Sequence, residues 1–372
     1  MKRADLASAK RIVIKVGSST LTGSAGSELN QASVKKLVDI AASLRAQGKE
    51  VVIVSSGAIA AGLAPLKLSS RPKDLATQQA AASVGQGLLI AAYTKELSAH
   101  SLVASQVLLT IEDVVRRSHY QNAQRTLFKL LQLGVVPIIN ENDTVGTQEI
   151  RFGDNDRLAA LVSHLIDADL LVLVTDIDSL YDAPPTEAGA KRISDVQTPQ
   201  DLAAITIGGV GSSGVGSGGM VTKVEAARIA AGAGVAMLLT TLDSLTSALD
   251  GADVGTLFWP VRDRKPSRLL WLEHAATPRG RLVLDAGAVT AIIERGVSLL
   301  PAGVTSVSGE FSAGDTVELV SESGEVIARG LVAFDADEIP QMLGRSTKEL
   351  AASLGAEYER ELVHRDDLVL IN

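Results

Sequence analysis

The sequence predicts an α/β protein: an open, mostly parallel sheet sandwiched by helices, followed by a small β-rich C-terminal domain. Three observations carry this prediction. Apolar runs rich in β-branched residues alternate with longer Ala-, Leu- and Gln-rich stretches as far as Leu180. Those runs are apolar at nearly every position rather than every second one, as in strands covered on both faces. Beyond Gly280, short β segments separated by glycines replace the alternation.

Taken in order, residues 12–16, 51–54, 135–139 and 170–174 are expected strands. Between them, residues 33–47, 77–97, 120–133 and 157–166 carry apolar residues at helical spacing, with Gly48 and Gly134 placed as C-terminal stops. After Leu180 a Pro-containing stretch, 182–199, leads into a segment with seven glycines between Gly208 and Gly219, and a helix resumes at Val221. Residues 250–280 hold Pro260, Pro266, Pro278 and the basic cluster Arg262, Arg264, Lys265 and Arg268, the composition of a connector. Segments 304–308, 316–321 and 326–334 are expected strands punctuated by Gly309, Gly314 and Gly324. The expected organisation is a first domain over 1–260, a connector over 261–280, a β-rich domain over 281–360 and a tail over 361–372.

The 372 residues include 35 Lys+Arg and 43 Asp+Glu, a net charge of −8. With 46% hydrophobic residues this is a globular composition, and its acidity argues against a generic polyanion binder. The acidity is local. Residues 1–280 carry 28 basic and 27 acidic groups (net +1), whereas 281–372 carry 7 and 16 (net −9). There is no cysteine, which excludes disulfides, thiolate metal sites and a cysteine nucleophile. The five histidines (100, 119, 164, 274 and 364) lack metal-ligand spacing, and no G-x-S-x-G occurs, which argues against zinc catalysis and serine hydrolysis. Asp5 interrupts the N-terminus before any apolar stretch, and no apolar run approaches the roughly 18 residues of a membrane span, so a cytoplasmic protein without membrane association is expected. Trp259 and Trp271 flank the connector as packing residues.

Polar residues gather where the expected strands end. Lys15 closes the first strand and opens into Gly17-Ser18-Ser19-Thr20, placing a cation and exposed N–H groups at a strand's carboxyl end, where anions bind well. A lysine snorkelling from a strand end would look the same. Ser55-Ser56-Gly57-Ala58 follows the second strand, a pattern that an ordinary turn also favours. Asn140-Glu141-Asn142-Asp143 follows the third, and Phe152-Gly153-Asp154-Asn155-Asp156-Arg157 precedes a helix that Asp154 or Asn155 can cap. Carboxylates in such places hold an ammonium, orient lysines or assist Mg²⁺. Thr175-Asp176 closes the fourth strand. The run Ser217-Gly218-Gly219-Met220-Val221-Thr222-Lys223 enters a helix with a lysine in its first turn, which suits phosphates. Its formal G-x-G-x-x-G at Gly214, Gly216 and Gly219 follows no strand, so it is not read as a dinucleotide fingerprint.

Five ordered segments, residues 12–18, 54–59, 140–143, 152–156 and 218–223, together resemble the amino acid kinase family, and within it the branch that phosphorylates glutamate. Residues 280–334, with Leu299-Leu300-Pro301-Ala302-Gly303-Val304, resemble a PUA domain. Ser179 and Ser217 depart from the family pattern, which commonly has Gly and Thr at these places. The resemblance implies ATP-dependent phosphorylation of the γ-carboxylate of L-glutamate, the first step towards proline, with Mg²⁺ held largely by phosphates and water. It implies that Lys15 and Lys223 contact the phosphates and the transferring group, with Asp156 holding the lysines, and that Ser55, Asp143, Asn155 and Asn140 bind glutamate. It further implies that Thr175, Asp176 and the segment Ser217, Gly218, Gly219, Met220, Val221, Thr222 and Lys223 lie at the nucleotide. Feedback by proline and a homo-oligomer, dimer or tetramer, are implied as well. Another carboxylate or phosphate kinase of this fold is the near alternative. RNA binding through the PUA-like domain is the distant one, and a net charge of −9 disfavours it.

Overall fold

The computed structural model describes residues 3–22, 28–110, 113–114, 117–145, 155–183, 189–198, 201, 219–260, 272 and 278–371. The chain divides into two compact units, Met1–Arg264 and Lys265–Asn372.

In the first unit the described elements run β1 (Arg11–Val16), α1 (Ser18–Leu21), α2 (Gln31–Ala46), β2 (Glu50–Ser55), α3 (Ala58–Leu63), α4 (Leu75–Ala99), β3 (Ala104–Leu109), α5 (Arg117–Gln132), β4 (Val136–Glu141), α6 (Asn155–Leu165) and β5 (Leu170–Val174). There follow β6 (Leu180–Tyr181), β7 (Arg192–Ile193), β8 (Asp195–Val196), α7 (Met220–Gly232), β9 (Ala236–Thr240), α8 (Leu245–Leu249) and β10 (Thr256–Phe258). Eight strands form one sheet in the order β3-β4-β2-β1-β5-β9-β10-β8. It is parallel from β3 to β9, and β10 turns antiparallel to β9.

Local sequence explains the elements. In α2, Asn30 Oδ1 accepts from the N–H groups of Ala32 and Ser33 at the start, and Gly48, at φ +79°, turns the chain into β2. One face of the sheet packs on α2, α4 and α8 through Ile12, Ile14, Ile53, Val172, Leu37, Val38, Leu89, Leu97 and Leu245. The opposite face carries the alternate strand residues, among them Val13, Val52 and Leu171, and packs against α5, α6 and α7. Both faces are therefore covered, which is why the central strands read as continuous apolar runs.

Helices α3 and α4 meet at two glycines. A Cβ at Gly85 would lie 1.8 Å from the Ala58 carbonyl oxygen, and one at Gly62 would lie 2.0 Å from that of Ala81. Only glycine permits this approach, and it fixes α4 against the segment that follows β2.

The second unit contains β11 (Gly280–Leu284), α9 (Ala286–Arg295), β12 (Val304–Gly309), β13 (Thr316–Ser321), β14 (Val326–Leu331), α10 (Thr347–Leu354) and β15 (Leu368–Leu370). Its sheet runs β12-β11-β13-β14-β15, with only β11 and β13 parallel. One correction follows. Residues 361–372, expected as a tail, bury Leu362, Val363 and Leu368 in this unit's core and pair β15 with β14. The charges around them, Arg360, Glu361, Arg365, Asp366 and Asp367, mask three apolar positions too short to show a period.

Candidate active site

The parallel strands end level with one another. Val16 of β1 pairs with Ser55 of β2 and Val174 of β5, and Val54 pairs with Ile139 of β4. Lys15, Ser55, Asn140 and Thr175 therefore share one carboxyl edge of the sheet, the edge where open α/β sheets bind ligands. The first residues of α6 and α7 bring Asn155, Asp156, Thr222 and Lys223 to it.

Asp156 is the electrostatic centre. It is fully buried; Lys15 Nζ lies 2.5 Å from its Oδ1, and Lys223 Nζ lies 3.1 Å from its Oδ2. Thr222 donates its hydroxyl to the same Oδ2 at 3.2 Å. Lys15 and Lys223 are only 4% and 9% exposed, so water does little to stabilise their charge, and Asp156 provides the compensation. Two ammonium groups thus share the Asp156 carboxylate. Such a cluster is preorganised for an anion. Arg157, next in α6, pairs with Glu225 of α7 at 3.4 Å, tying the two helices together beside it.

A neutral network lies next to this trio. Asn155 Nδ2 donates to the Ser55 carbonyl (3.0 Å), to Ser56 Oγ (2.9 Å) and to Asn140 Oδ1 (2.9 Å). Asn140 Oδ1 also accepts the Glu141 N–H at 2.9 Å, and Asn140 Nδ2 donates to Gln86 Oε1 at 2.8 Å. Ser55 Oγ is fully buried, donates to the Ser56 carbonyl at 3.1 Å and lies 3.0 Å from the Tyr93 hydroxyl. Burial pushes the Tyr93 phenol far above its ordinary range, and the Ser55 hydrogen bond opposes this only in part, so Tyr93 stays neutral. Gly57, at φ +99°, follows this serine pair and turns the chain into α3, a conformation that suits glycine.

The structure brings Lys15, Lys223 and Asp156 together, and likewise Ser55, Asn140 and Asn155. Asp143 lies half-buried in the turn after β4. Thr175 is buried and Asp176 exposed; the Thr175 hydroxyl donates to Asp176 Oδ1 at 3.0 Å. Gly219, Met220 and Val221 form the N-cap and first turn of α7. Ser217, Gly218, Asp154, Phe152 and Gly153 lie outside the described residues, as do the connector's basic cluster and Trp271. Ser179, where the family commonly has glycine, is fully buried and its backbone is not left-handed. Trp259 packs against the core of the first unit. Sequence reading missed Gln86 and Tyr93. Both lie inside α4, where only the burial of a glutamine between Gly85 and Leu89 sets them apart.

The sequence model of the Amino acid kinase family matches residues 10–240. The chain belongs to the amino acid kinase family. Residues 280–354 match the PUA domain. Among curated proteins the chain is 61% identical to the "Glutamate 5-kinase" of Streptomyces avermitilis over 99% of this chain and 98% of that protein. It is 57% identical to the "Glutamate 5-kinase" of Thermobifida fusca over 99% and 95%. Among solved structures, a carbamate kinase from Giardia lamblia bound to AMP-PNP is 18% identical with a TM-score of 0.50, covering 68% of this chain and all of that one, a likeness of fold alone.

Proposed function

We propose that this chain transfers the γ-phosphoryl group of ATP to the γ-carboxylate of L-glutamate, giving L-glutamyl 5-phosphate and ADP, the first step towards proline. The observation that carries the reading is the buried Lys15–Asp156–Lys223 trio at the sheet's carboxyl edge, which holds two lysine ammonium groups side by side. The identity and coverage shared with glutamate 5-kinases support the choice of substrate.

The chemistry follows from charge. A γ-carboxylate with a pKa of about 4.3 is ionised at neutral pH, so the nucleophile needs no general base. A carboxylate oxygen forms the new bond to phosphorus while the bond to the ADP oxygen breaks. The barrier is repulsion between an anionic nucleophile and a polyanionic donor, and catalysis consists of in-line positioning and stabilisation of charge on the equatorial oxygens. Lys15 and Lys223 would supply that charge, with Asp156 holding both ammonium groups in place. Gly219, Met220, Val221 and Thr222, with Ser217 and Gly218 before them, would line the nucleotide's phosphates, and Thr175 and Asp176 its other side. Ser55, Asn140, Asp143 and Asn155 would hold glutamate. Mg²⁺ enters this reading on the nucleotide's phosphates, and no step depends on it.

Among the described residues no helix is long and apolar enough to cross a membrane, and we place the reaction in the cytoplasm. Proline as feedback inhibitor and a homo-oligomeric assembly complete the proposal. The decisive assay compares glutamate, N-acetylglutamate, aspartate and UMP as acceptors for Mg-ATP, with hydroxylamine trapping acyl phosphate. The proposal expects hydroxamate from glutamate far above the others, and a preference for another acceptor would overturn it.

A further inference from the structure

We infer that Gln86 is a positioning residue for the amino acid substrate: it ends an amide relay that holds Asn155 with its carbonyl oxygen available to a primary ammonium group. The inference rests on the glutamate reading above and extends it to a residue of α4 and to the group that Asn155 recognises.

The polarity of the relay follows from two backbone groups whose roles cannot change. The Ser55 carbonyl can only accept, so the Asn155 atom 3.0 Å from it must be the amide nitrogen. The Glu141 N–H can only donate, so the Asn140 atom 2.9 Å from it must be the carbonyl oxygen. The same Asn140 oxygen then accepts from Asn155, and Asn140 Nδ2 is left to find an acceptor in the interior. Gln86 Oε1, at 2.8 Å, is that acceptor.

Turning Gln86 the right way for Asn140 carries a cost. Its own Nε2 is buried with no hydrogen-bond partner, although the residue is only 8% exposed. A buried donor left without an acceptor is destabilising. A methionine or leucine at this helix position would fill the space without the orphaned N–H. The cost is intelligible if the site needs Asn140, and through it Asn155, in one orientation.

That orientation has a chemical meaning. Asn155 turns its nitrogen inward to three acceptors, so Oδ1 is directed away from them. An amide oxygen accepts hydrogen bonds and carries partial negative charge; it suits an ammonium and repels a carboxylate or phosphate. An α-amino acid presents an ammonium, whereas its deaminated analogue presents only a methylene. A site built around a hydrogen-bonding partner discriminates strongly against a ligand that lacks it. Glutamate should therefore be preferred to glutarate through Asn155, with Gln86 holding the preference in place. The helix that carries Gln86 is itself fixed, because Gly85 and Gly62 seat α4 on α3 directly behind Ser55 and Ser56.

The test uses the full-length protein and three chains. Gln86→Met keeps the volume and removes the acceptor; Gln86→Glu keeps an oxygen able to accept from Asn140 and exchanges the orphaned amide for a second carboxyl oxygen. Gln86→Met is expected to raise KM for glutamate about tenfold while KM for ATP stays within twofold and kcat within threefold. Its preference for glutamate over glutarate should fall about tenfold, and Gln86→Glu should restore both quantities to within threefold of the parent. An unchanged glutamate KM and an unchanged glutarate preference in Gln86→Met would overturn the inference. So would an equal rise in both KM values with a lowered melting temperature, which would mark a purely structural role. Failure of the parent protein to phosphorylate glutamate would instead remove the functional reading, so the two failures are distinguishable.

Discussion

The two units handle charge in opposite ways. At the sheet edge of the first, Lys15 and Lys223 both pair with the buried Asp156 carboxylate. In the second, 16 acidic groups face 7 basic ones over residues 281–372, and most of the basic groups are engaged internally. Arg281 and Arg329 both reach Glu318, Arg345 donates to the Ser353 hydroxyl, Arg360 donates to the Ala333 carbonyl and lies over the Phe334 ring, and Arg365 pairs with Asp366. A chain of net −8 thus gathers two buried lysines at one sheet edge of one unit and, among the described residues of the other, engages most of its basic groups internally. Anion binding depends on where charge is left uncompensated, not on the sum over the chain.

The largest expected effect breaks the first side of this contrast. Lys223→Ala removes one of the two ammonium groups and should lower kcat by about a thousandfold or more, with folding retained by circular dichroism, because charge stabilisation is the main catalytic device of phosphoryl transfer. Near-normal turnover would remove Lys223 from the catalytic set. Asp156→Ala leaves two buried ammonium groups facing each other and should cost about 3–5 kcal/mol of stability as well as activity. Chemical denaturation measures this, and unchanged stability would mean that the lysines find other partners. Next in size, Gly85→Ala forces a Cβ towards the Ala58 carbonyl and should cost about 1–3 kcal/mol, read as a lowered melting temperature. Asp143→Ala should raise KM for glutamate about tenfold with little change for ATP, by loss of a partner for substrate charge. An unchanged KM would take Asp143 out of the substrate site. The smallest effect sharpens the second side: full-length protein should show no saturable, salt-sensitive binding of tRNA, whose contacts would require free lysines and arginines. Tight binding lost between low and moderate salt would reverse the contrast.

Much of this was legible in sequence, for physical reasons that also explain the gaps. Strands β1, β2, β4 and β5 are buried on both faces, so their β-branched runs stand out. Strand β9, Ala-Met-Leu-Leu-Thr, is equally buried, but its residues favour a helix as much as a strand. Strand β3 lies at the sheet's edge and is mostly half-buried, and β8 and β10 are only two and three residues long. Lys15 and Asp156, which the structure pairs, could be singled out because each adjoins a polar, glycine-containing turn, Gly17-Ser18-Ser19-Thr20 after Lys15 and Gly153-Asp154-Asn155 before Asp156. Gln86 and Tyr93 were not, because their roles exist only once α4 is folded over the ends of β2 and β4.

In the proposed reaction a carboxylate oxygen of glutamate attacks the γ-phosphorus of ATP. Glutamate labelled with ¹⁸O in its γ-carboxylate, incubated with the full-length protein, Mg-ATP and hydroxylamine, tests it directly. Hydroxylamine attacks the carbonyl carbon of an acyl phosphate, so the released phosphate should carry one ¹⁸O atom, visible as an isotope shift in its ³¹P spectrum. Phosphate that forms without the label would show that ATP is cleaved by water or by another acceptor and would contradict the account.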